Sequence, residues 1–105
     1  MDQKASVPGR VALFHGWAES PLWYRTPGDL GPVDLTGLPI SPELRERLLA
    51  WNEFADVTMS ANGYEWPSTS VEAEFLAQGS ILAEALREEL GIEVEYRRDA
   101  DSGGR

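Results

Sequence analysis

His15 is the only histidine of the chain, which also has no cysteine. Acid–base catalysis or metal binding would therefore have to combine His15 with carboxylates, and a zinc site built from cysteines is excluded. A Ser-His-Asp arrangement stays open, because its members converge in space and not in sequence. A histidine on the inner face of a strand is more often a hydrogen-bonded core residue, and that is the favoured interpretation here.

The sequence lacks the common catalytic and nucleotide-binding motifs. No serine lies in a Gly-x-Ser-x-Gly elbow, and neither a Walker loop nor a Gly-x-Gly-x-x-Gly sequence occurs. Glu93 and Glu95 share a strand face, as paired acids in a hydrolase would, but a solvated strand face is the simpler interpretation. The sequence therefore predicts no catalytic residue, no metal site, no cofactor and no enzymatic activity. A small enzyme or ligand-binding protein centred on His15 remains an alternative.

The negative charge is concentrated in one part of the chain. The formal net charge is -9 at pH 7, and residues 40–96 hold twelve carboxylates and three arginines, a difference that accounts for all of it. Residues 48–86 contain no lysine or arginine. A surface of this kind repels nucleic acid and attracts cationic partners. We expect no direct nucleic-acid binding and a basic protein partner, such as a toxin or a nucleic-acid-binding protein.

Three strands are expected. Residues 10–17 read as a strand with Val11, Leu13, His15 and Trp17 on one face and Ala12 and Phe14 on the other, which would place His15 and Trp17 together on its inner face. Residues 22–25 would form the second strand of a hairpin, after a turn that contains a proline. Residues 92–97 alternate apolar and charged side chains without interruption, so they predict the third strand.

The first helix has a clear start in Ser41, a suitable N-cap, and Pro42, which is favoured at the first helical position. We expect it to end before Asn62. Its core-facing residues recur with helical spacing and are Leu44, Leu48, Trp51, Ala55 and Met59.

The second helix is expected to begin near Thr69 or Ser70, and Thr69 with Glu72 matches a capping box. Gly91 suits the left-handed position at its end. Gly79 lies within the predicted buried stripe, where glycine costs about 1 kcal/mol relative to alanine. We therefore expect the first helix to pass close to it.

This order of elements predicts an α+β fold in which a small three-stranded sheet, a β-hairpin plus a C-terminal strand, packs on an antiparallel pair of helices. The last strand should lie beside the first and parallel to it, which gives the order 2-1-3. We expect one domain over residues 10–97, with flexible termini at 1–9 and 98–105. No apolar run approaches the roughly 18 residues that span a bilayer, and the first residues do not open a signal peptide, so we expect a cytoplasmic protein that does not enter the membrane.

Two regions are candidates for partner binding. On the first helix, Leu49 lies opposite the core stripe among three acids, unless the helix is covered on two sides or bends so that Leu49 reaches the core. In the connection between the helices, Tyr64 and Trp66 are of the types that anchor interfaces, unless one or both close the end of the core. With the neighbouring acids, the predicted partner-binding residues are Glu46, Leu49, Glu53, Asp56, Tyr64, Glu65, Trp66, Glu72 and Glu74.

Several stretches resemble known proteins. Residues 20–23 (SPLW), the helix that carries Trp51, residues 73–75 (AEF) and residues 91–96 (GIEVEY) resemble small acidic proteins of high-GC actinobacteria that carry no assigned role. This resemblance implies no activity and no catalytic residues. In general character the chain is also similar to immunity proteins and antitoxins, which use carboxylates and aromatic side chains to cover the basic site of a toxin.

These observations predict a non-enzymatic acidic protein-binding module that inhibits or regulates a basic partner, in the manner of an immunity protein or an antitoxin. An acidic mimic of nucleic acid is an alternative hypothesis, and so is a subunit of a larger assembly. The sequence predicts no particular oligomeric state.

Overall fold

The computed structural model of the chain describes residues 9–25 and 31–97. The predicted flexible termini lie outside these ranges, apart from Gly9. The elements in chain order are β1 (Arg10–Leu13), β2 (Leu22–Tyr24), a 3-10 turn (Leu35–Gly37), α1 (Pro42–Ser60), α2 (Thr69–Leu90) and β3 (Glu93–Tyr96).

The three strands form one sheet in the order β2-β1-β3. β1 pairs with β2 in antiparallel orientation and with β3 in parallel orientation, so that Val11 lies between Tyr24 and Val94. The helical pair between β2 and β3 returns the chain to the sheet and makes the parallel pairing possible. The predicted α+β class, order of elements and strand order are confirmed.

β1 is shorter than expected, and the prediction that Trp17 shares its inner face is wrong. The strand ends at Leu13, and Phe14 N–H then donates to Pro21 O at 3.0 Å, which closes the hairpin. Trp17 has φ of 59°, in the left-handed region, and its side chain is 51% exposed. This backbone turn ends the alternation, so Trp17 points away from the core while His15 remains buried.

α1 begins and ends as the sequence predicts. The Ser41 hydroxyl accepts a hydrogen bond from Leu44 N–H at 3.1 Å, and Pro42 occupies the first turn. The helix ends at Ser60. Of the predicted core residues, Met59 is half-buried, and the fully buried ones are Leu44, Leu48, Trp51 and Ala55.

α2 begins at Thr69, within the predicted start, but its cap lies one residue earlier than predicted. Its N-cap is Ser68, whose side chain accepts from Val71 N–H at 3.2 Å. Because Ser68 has the extended backbone of a cap and Thr69 is already helical, Thr69 does not cap the helix and the predicted capping box is wrong. At the other end, Gly91 adopts φ of 67°, as predicted for a left-handed C-cap.

Gly79 lies where α1, α2 and β3 meet. A Cβ atom there would come within 2.6 Å of Trp51 Cζ2 and would also meet the Tyr96 hydroxyl. The Trp51 indole N–H donates to Phe75 O at 2.9 Å, and the two rings stack with centroids 4.2 Å apart. The expected close approach to α1 is confirmed, with Tyr96 of β3 as a second neighbour.

The outer face of the sheet is nearly neutral. Arg10 pairs with Glu93 at 3.5 Å, and Glu95 pairs with Arg25 at 3.4 Å and with Arg97 at 3.7 Å. The acids of β3 are therefore balanced by arginines from the rest of the sheet. The excess negative charge lies instead on the helical layer. Within residues 9–25 and 31–97, no helix has an apolar stretch long enough to cross a membrane.

Candidate functional site

The segment between β1 and β2 is held by two side chains of α1. Asn52 Nδ2 donates to Ala18 O at 2.8 Å, and His15 Nε2 lies 2.5 Å from Asp56 Oδ1. Asn52 and Asp56 are four residues apart, so they stand one above the other on the same side of the helix. These two contacts hold the residues that flank Trp17 in the chain, His15 and Ala18, against α1.

His15 is buried, with 7% of its surface exposed, and its Nε2 faces a carboxylate. Because an ionised carboxylate only accepts hydrogen bonds, Nε2 is the donor in this pair. The same imidazole meets the Trp17 ring edge to face, at a centroid distance of 4.6 Å. Among the residues described, no three His, Asp or Glu side chains converge as a metal site would require. The geometry gives His15 a role in positioning Asp56 and Trp17.

Trp17 and Tyr64 form an exposed pair, which we call the aromatic corner. Their ring centroids lie 5.7 Å apart with an angle of 66° between the planes. Tyr64 is 68% exposed, and its φ of 67° is again left-handed. Left-handed backbone is rare for bulky residues and costs roughly 1 kcal/mol or more. Both members of the aromatic corner are therefore held at strained positions by their surroundings.

The connection between the helices is ordered by its own hydrogen bonds. Tyr64 N–H donates to Met59 O at 2.6 Å, and Asn62 Nδ2 donates to Glu65 O at 3.0 Å. Gly63, just before Tyr64, is also left-handed with φ of 67°. Two consecutive left-handed residues turn the chain sharply after α1 and place Tyr64 on the surface.

Beside the aromatic corner lies an open hollow of about 500 Å³, which we call the acidic depression. Its walls include Tyr64, Glu65, Trp66 and Glu72. A smaller cavity of about 90 Å³ lies next to it beneath Trp17 and shares Trp66 and Glu72 with it. Four of the predicted partner-binding residues are thus brought together, and Trp17 joins them from the segment between β1 and β2.

Trp66 forms the floor of the acidic depression. It is half-buried and packs against the core, with its ring 4.8 Å from Phe75 and 6.4 Å from Phe54. It therefore closes the end of the core, whereas Tyr64 stays exposed.

Leu49 does not reach the core, since 40% of its surface is exposed. It borders a second hollow of about 440 Å³, together with Glu19 and Asp34. Hydrogen bonds from the side chain and the backbone of Thr36 hold the pKa of Asp34 below its usual value. Both acids of this hollow come from outside α1, whereas the sequence places Leu49 beside Glu46, Glu53 and Asp56 of the same helix.

The remaining predicted residues are spread over the helical layer. Glu46 lies near Arg47, and Glu74 lines the groove between α1 and α2, which Arg47 also borders. Glu46, Glu53, Glu65 and Glu74 make no ion pair with any residue of the described ranges. These carboxylates give the helical layer a negative charge that no ion pair within the described ranges balances.

Residues 9–99 match the model of a family described as Serratia CdiI immunity protein-like. The chain belongs to this family. The match covers all of its helices and strands and every predicted partner-binding residue. No curated protein matches the chain. Membership in the Serratia CdiI immunity protein-like family agrees with the resemblance to immunity proteins that the sequence suggests.

Sequence reasoning missed Trp17 and Asn52 as parts of this site. Trp17 is an even number of residues from Val11 and Leu13 and so falls on the same strand face, and this spacing hides the turn. Gly16 directly before it, and Ser20 and Pro21 shortly after, are signals that could have ended the strand earlier. Asn52 gives no signal of its own, because its partner is a backbone carbonyl 34 residues away.

Proposed function

We propose that this chain is a non-enzymatic immunity protein that binds and inhibits a toxin through a basic surface of that toxin. Membership in the Serratia CdiI immunity protein-like family supports a toxin as the partner. The observation that supports the basic nature of the partner is the set of four carboxylates on the helical layer that have no ion-pair partner among residues 9–25 and 31–97. Three of them, Glu53, Glu65 and Glu74, lie in residues 48–86, a stretch that has no lysine or arginine.

The charges and the exposed apolar residues have different roles in this proposal. The carboxylates raise the rate of encounter with a basic surface, an effect that salt weakens. Exposed apolar side chains next to them supply the contact area that slows dissociation, because interface energy concentrates in a few well-packed residues. Leu49, Val57 and Tyr64 are the exposed residues suited to this, beside Glu53. An inhibitor that covers a basic substrate site needs both properties.

The first experiment identifies the toxin and then measures its binding. The protein is used to capture partners from the native host's lysate, and proteins released by a rise in salt from about 50 mM to about 500 mM are identified by mass spectrometry, since salt screens charge pairs. Association and dissociation rates of the purified pair are then measured over the same range of salt, together with inhibition of the toxin's activity.

Two charge reversals test the proposed surface. Glu53→Lys should slow association several-fold at low salt and flatten the salt dependence, because it places a cation among the carboxylates. Glu88→Lys, in the last turn of α2, changes the net charge equally and is the control. Asp56 is not used for reversal, because its loss would also break the pair with His15.

Equal association rates for Glu53→Lys and Glu88→Lys would mean that only net charge matters and would overturn this surface. If duplex nucleic acid does not displace the bound toxin, this result argues against the alternative in which the chain mimics nucleic acid. Competition by the duplex for the same site would favour it.

A further inference from the structure

We propose that the groove between α1 and α2 binds an amphipathic helix of a partner protein, with an acidic residue of that helix at Arg47 and a basic residue at Glu74. Apolar side chains of the helix fill the groove between these two ends. The inference goes beyond the proposed function, because the groove lies on another side of α1 from Leu49. Phe54, which borders the groove, follows Leu49 by five residues and so points about 140° away from it around the helix.

The floor of the groove is apolar and well packed. The groove has a volume of about 330 Å³, and its floor is formed by Trp51, Phe75 and Leu82. All three side chains are buried, and the rings of Trp51 and Phe75 stack on each other with centroids 4.2 Å apart. The hydrogen bond from the Trp51 indole to Phe75 O holds this arrangement. Because the groove is formed before a partner arrives, little conformational entropy is lost on binding.

Each wall of the groove exposes a large apolar side chain. Phe54 on α1 is 47% exposed, and Ile81 on α2 is 51% exposed. Gln78 lines the groove and precedes Ile81 by three residues, so Ile81 lies on the same side of α2. A third helix packed on this pair, at an axis distance of about 8–10 Å, would cover both apolar side chains and remove them from water.

The two ends of the groove carry opposite charges. Arg47 lies at one end, two helical turns before Phe54, and Glu74 lies at the other end, next to Phe75. The rings of Phe54 and Phe75 have centroids 6.3 Å apart, so Glu74 is level with Phe54 and about 10 Å along the groove from Arg47. Neither Arg47 nor Glu74 forms an ion pair with another residue in the part of the chain that the structure describes.

The surroundings of Arg47 determine how the two ends differ. Arg47 also borders a separate hollow with Glu43 and Glu46, and no ion pair joins it to either of them. These two acids oppose the approach of a carboxylate, which therefore gains only by direct paired hydrogen bonds with the guanidinium. The Glu74 end supplies the attraction, and the Arg47 end selects the alignment of the helix.

The spacing of the two charges defines the sequence pattern of the partner. Residues seven apart in a helix lie on the same face, two turns or about 10 Å from each other. An acid at position i and a base at position i+7 therefore reach both ends of the groove, while apolar residues at i+3 and i+4 face its floor. A second copy of this chain fits less well, because two chains with a net charge of -9 repel each other.

The test uses the full chain and three defined peptides. Each is a blocked, alanine-based helix of about 16 residues with leucine at i+3 and i+4. The charged residues at i and i+7 are glutamate and lysine in the first peptide, two lysines in the second and two glutamates in the third. Binding of the labelled peptides is measured by fluorescence anisotropy at about 150 mM salt, where long-range attraction to the acidic chain is screened.

The peptide with one glutamate and one lysine should bind best. We expect a dissociation constant on the order of 100 µM for it and values at least about threefold higher for the other two. In 15N-labelled protein, the Gln78 side-chain amide and the Phe54 backbone amide should shift on binding. The indole N–H of Trp17, which lies outside the groove, should not.

Charge reversals should change which peptide binds best. Glu74→Lys should shift the preference to the two-glutamate peptide, and Arg47→Glu should shift it to the two-lysine peptide, by about threefold to tenfold each. Glu88→Lys, exposed at the end of α2 and outside the groove, makes the same change of charge as Glu74→Lys and should keep the preference of the wild type. Ile81→Ala should weaken all three peptides by about threefold, because it removes apolar surface from one wall.

Equal affinity of the wild type for the three peptides, or equal effects of Glu74→Lys and Glu88→Lys, would overturn the inference. Tightest binding of the two-lysine peptide to the wild type would also overturn it, because net charge alone would then account for binding. These outcomes are independent of the toxin. A toxin that is bound by a chain with no affinity for the peptides removes the groove as a site and keeps the proposed function, and the opposite result does the reverse.

Discussion

The carboxylate of Glu89 accepts two hydrogen bonds from Ser41, one from its backbone N–H at 2.7 Å and one from its hydroxyl at 3.0 Å. Ser41 is the N-cap of α1, whereas Glu89 lies in the last turn of α2. A carboxylate is unfavourable at the C-terminal end of α2, to which Glu89 belongs. Here it also lies at the N-terminus of α1, where the helix dipole favours negative charge. One residue of α2 therefore helps to cap α1.

Glu89→Ala should lower the free energy of unfolding by about 1 kcal/mol, because it removes two hydrogen bonds and a favourable charge at the N-terminus of α1. The measurement is urea denaturation at neutral pH. Glu88→Ala is the matched control, since Glu88 is exposed in the same turn. It should be neutral or slightly stabilising, because it removes a negative charge from the end of α2. Equal losses in the two variants would contradict the capping role.

Gly79→Ala should destabilise the protein by roughly 1–3 kcal/mol, although alanine is the better helix former. The added methyl group would collide with Trp51 and Tyr96, which are both held by hydrogen bonds to α2. Ser80→Ala, at the next and exposed position, should be neutral or stabilising. Both are measured by chemical denaturation. A Gly79→Ala variant that is more stable than the wild type would show that the close approach does not constrain this position.

The backbone at Tyr64 predicts an inverted order of stability between two substitutions. Tyr64→Gly should be more stable than Tyr64→Ala by about 1 kcal/mol, because only glycine adopts φ near 67° without strain. At the exposed helical position Ala77, the order should be the reverse, with Ala77→Gly less stable than the wild type by about 1 kcal/mol. Thermal unfolding of the four proteins tests this. Equal stability of the two Tyr64 variants would argue against a left-handed backbone in solution.

Asp34 gives a prediction for pH. The hydrogen bonds of the Thr36 hydroxyl and backbone N–H to its carboxylate lower the pKa of Asp34 below 3.8. A lowered pKa in the folded state stabilises the protein above the unfolded value, and this contribution is lost as the pH falls through the folded value. Thr36→Val should move the pKa of Asp34 back upwards, as measured by NMR of the side-chain carbon. Thr58→Val, in α1, is the control and should leave this titration unchanged.

The parts of the fold that follow from local signals could be predicted from the sequence. Ser41 and Pro42 mark the start of α1, and Gly91 marks the end of α2, because each residue type suits one backbone position. Gly79 signals a close approach, because glycine destabilises a helix interior relative to alanine and is favoured where a side chain would collide with a neighbour. An antiparallel pair of helices returns the chain to the end of the sheet that it left, so the parallel pairing of β1 and β3 could also be predicted.

The site was predicted less well, because its geometry depends on contacts between distant residues. His15 and Asp56 are 41 residues apart, and nothing local shows that they meet. Trp17 fits the alternation of a strand, yet the left-handed backbone places it on the surface next to Tyr64. Ser68 and Thr69 are both good caps, and the choice between them depends on where the chain enters α2. Patterns of residue type describe faces of single elements, and this site lies between elements.

The parallel pairing of β1 with β3, from Arg10 with Glu93 to Leu13 with Tyr96, also determines when the sheet can be completed during synthesis. β1 leaves the ribosome well before its parallel neighbour β3, which is made only after both helices. An isolated hairpin is barely stable in water, so β1 and β2 would not stay folded on their own until β3 has been made. Until β3 arrives, the central strand presents an unpaired apolar edge, which is a hazard for aggregation. The amount of protein that a cell can accumulate would then be limited by protection of the nascent chain from aggregation, and not by the stability of the folded protein.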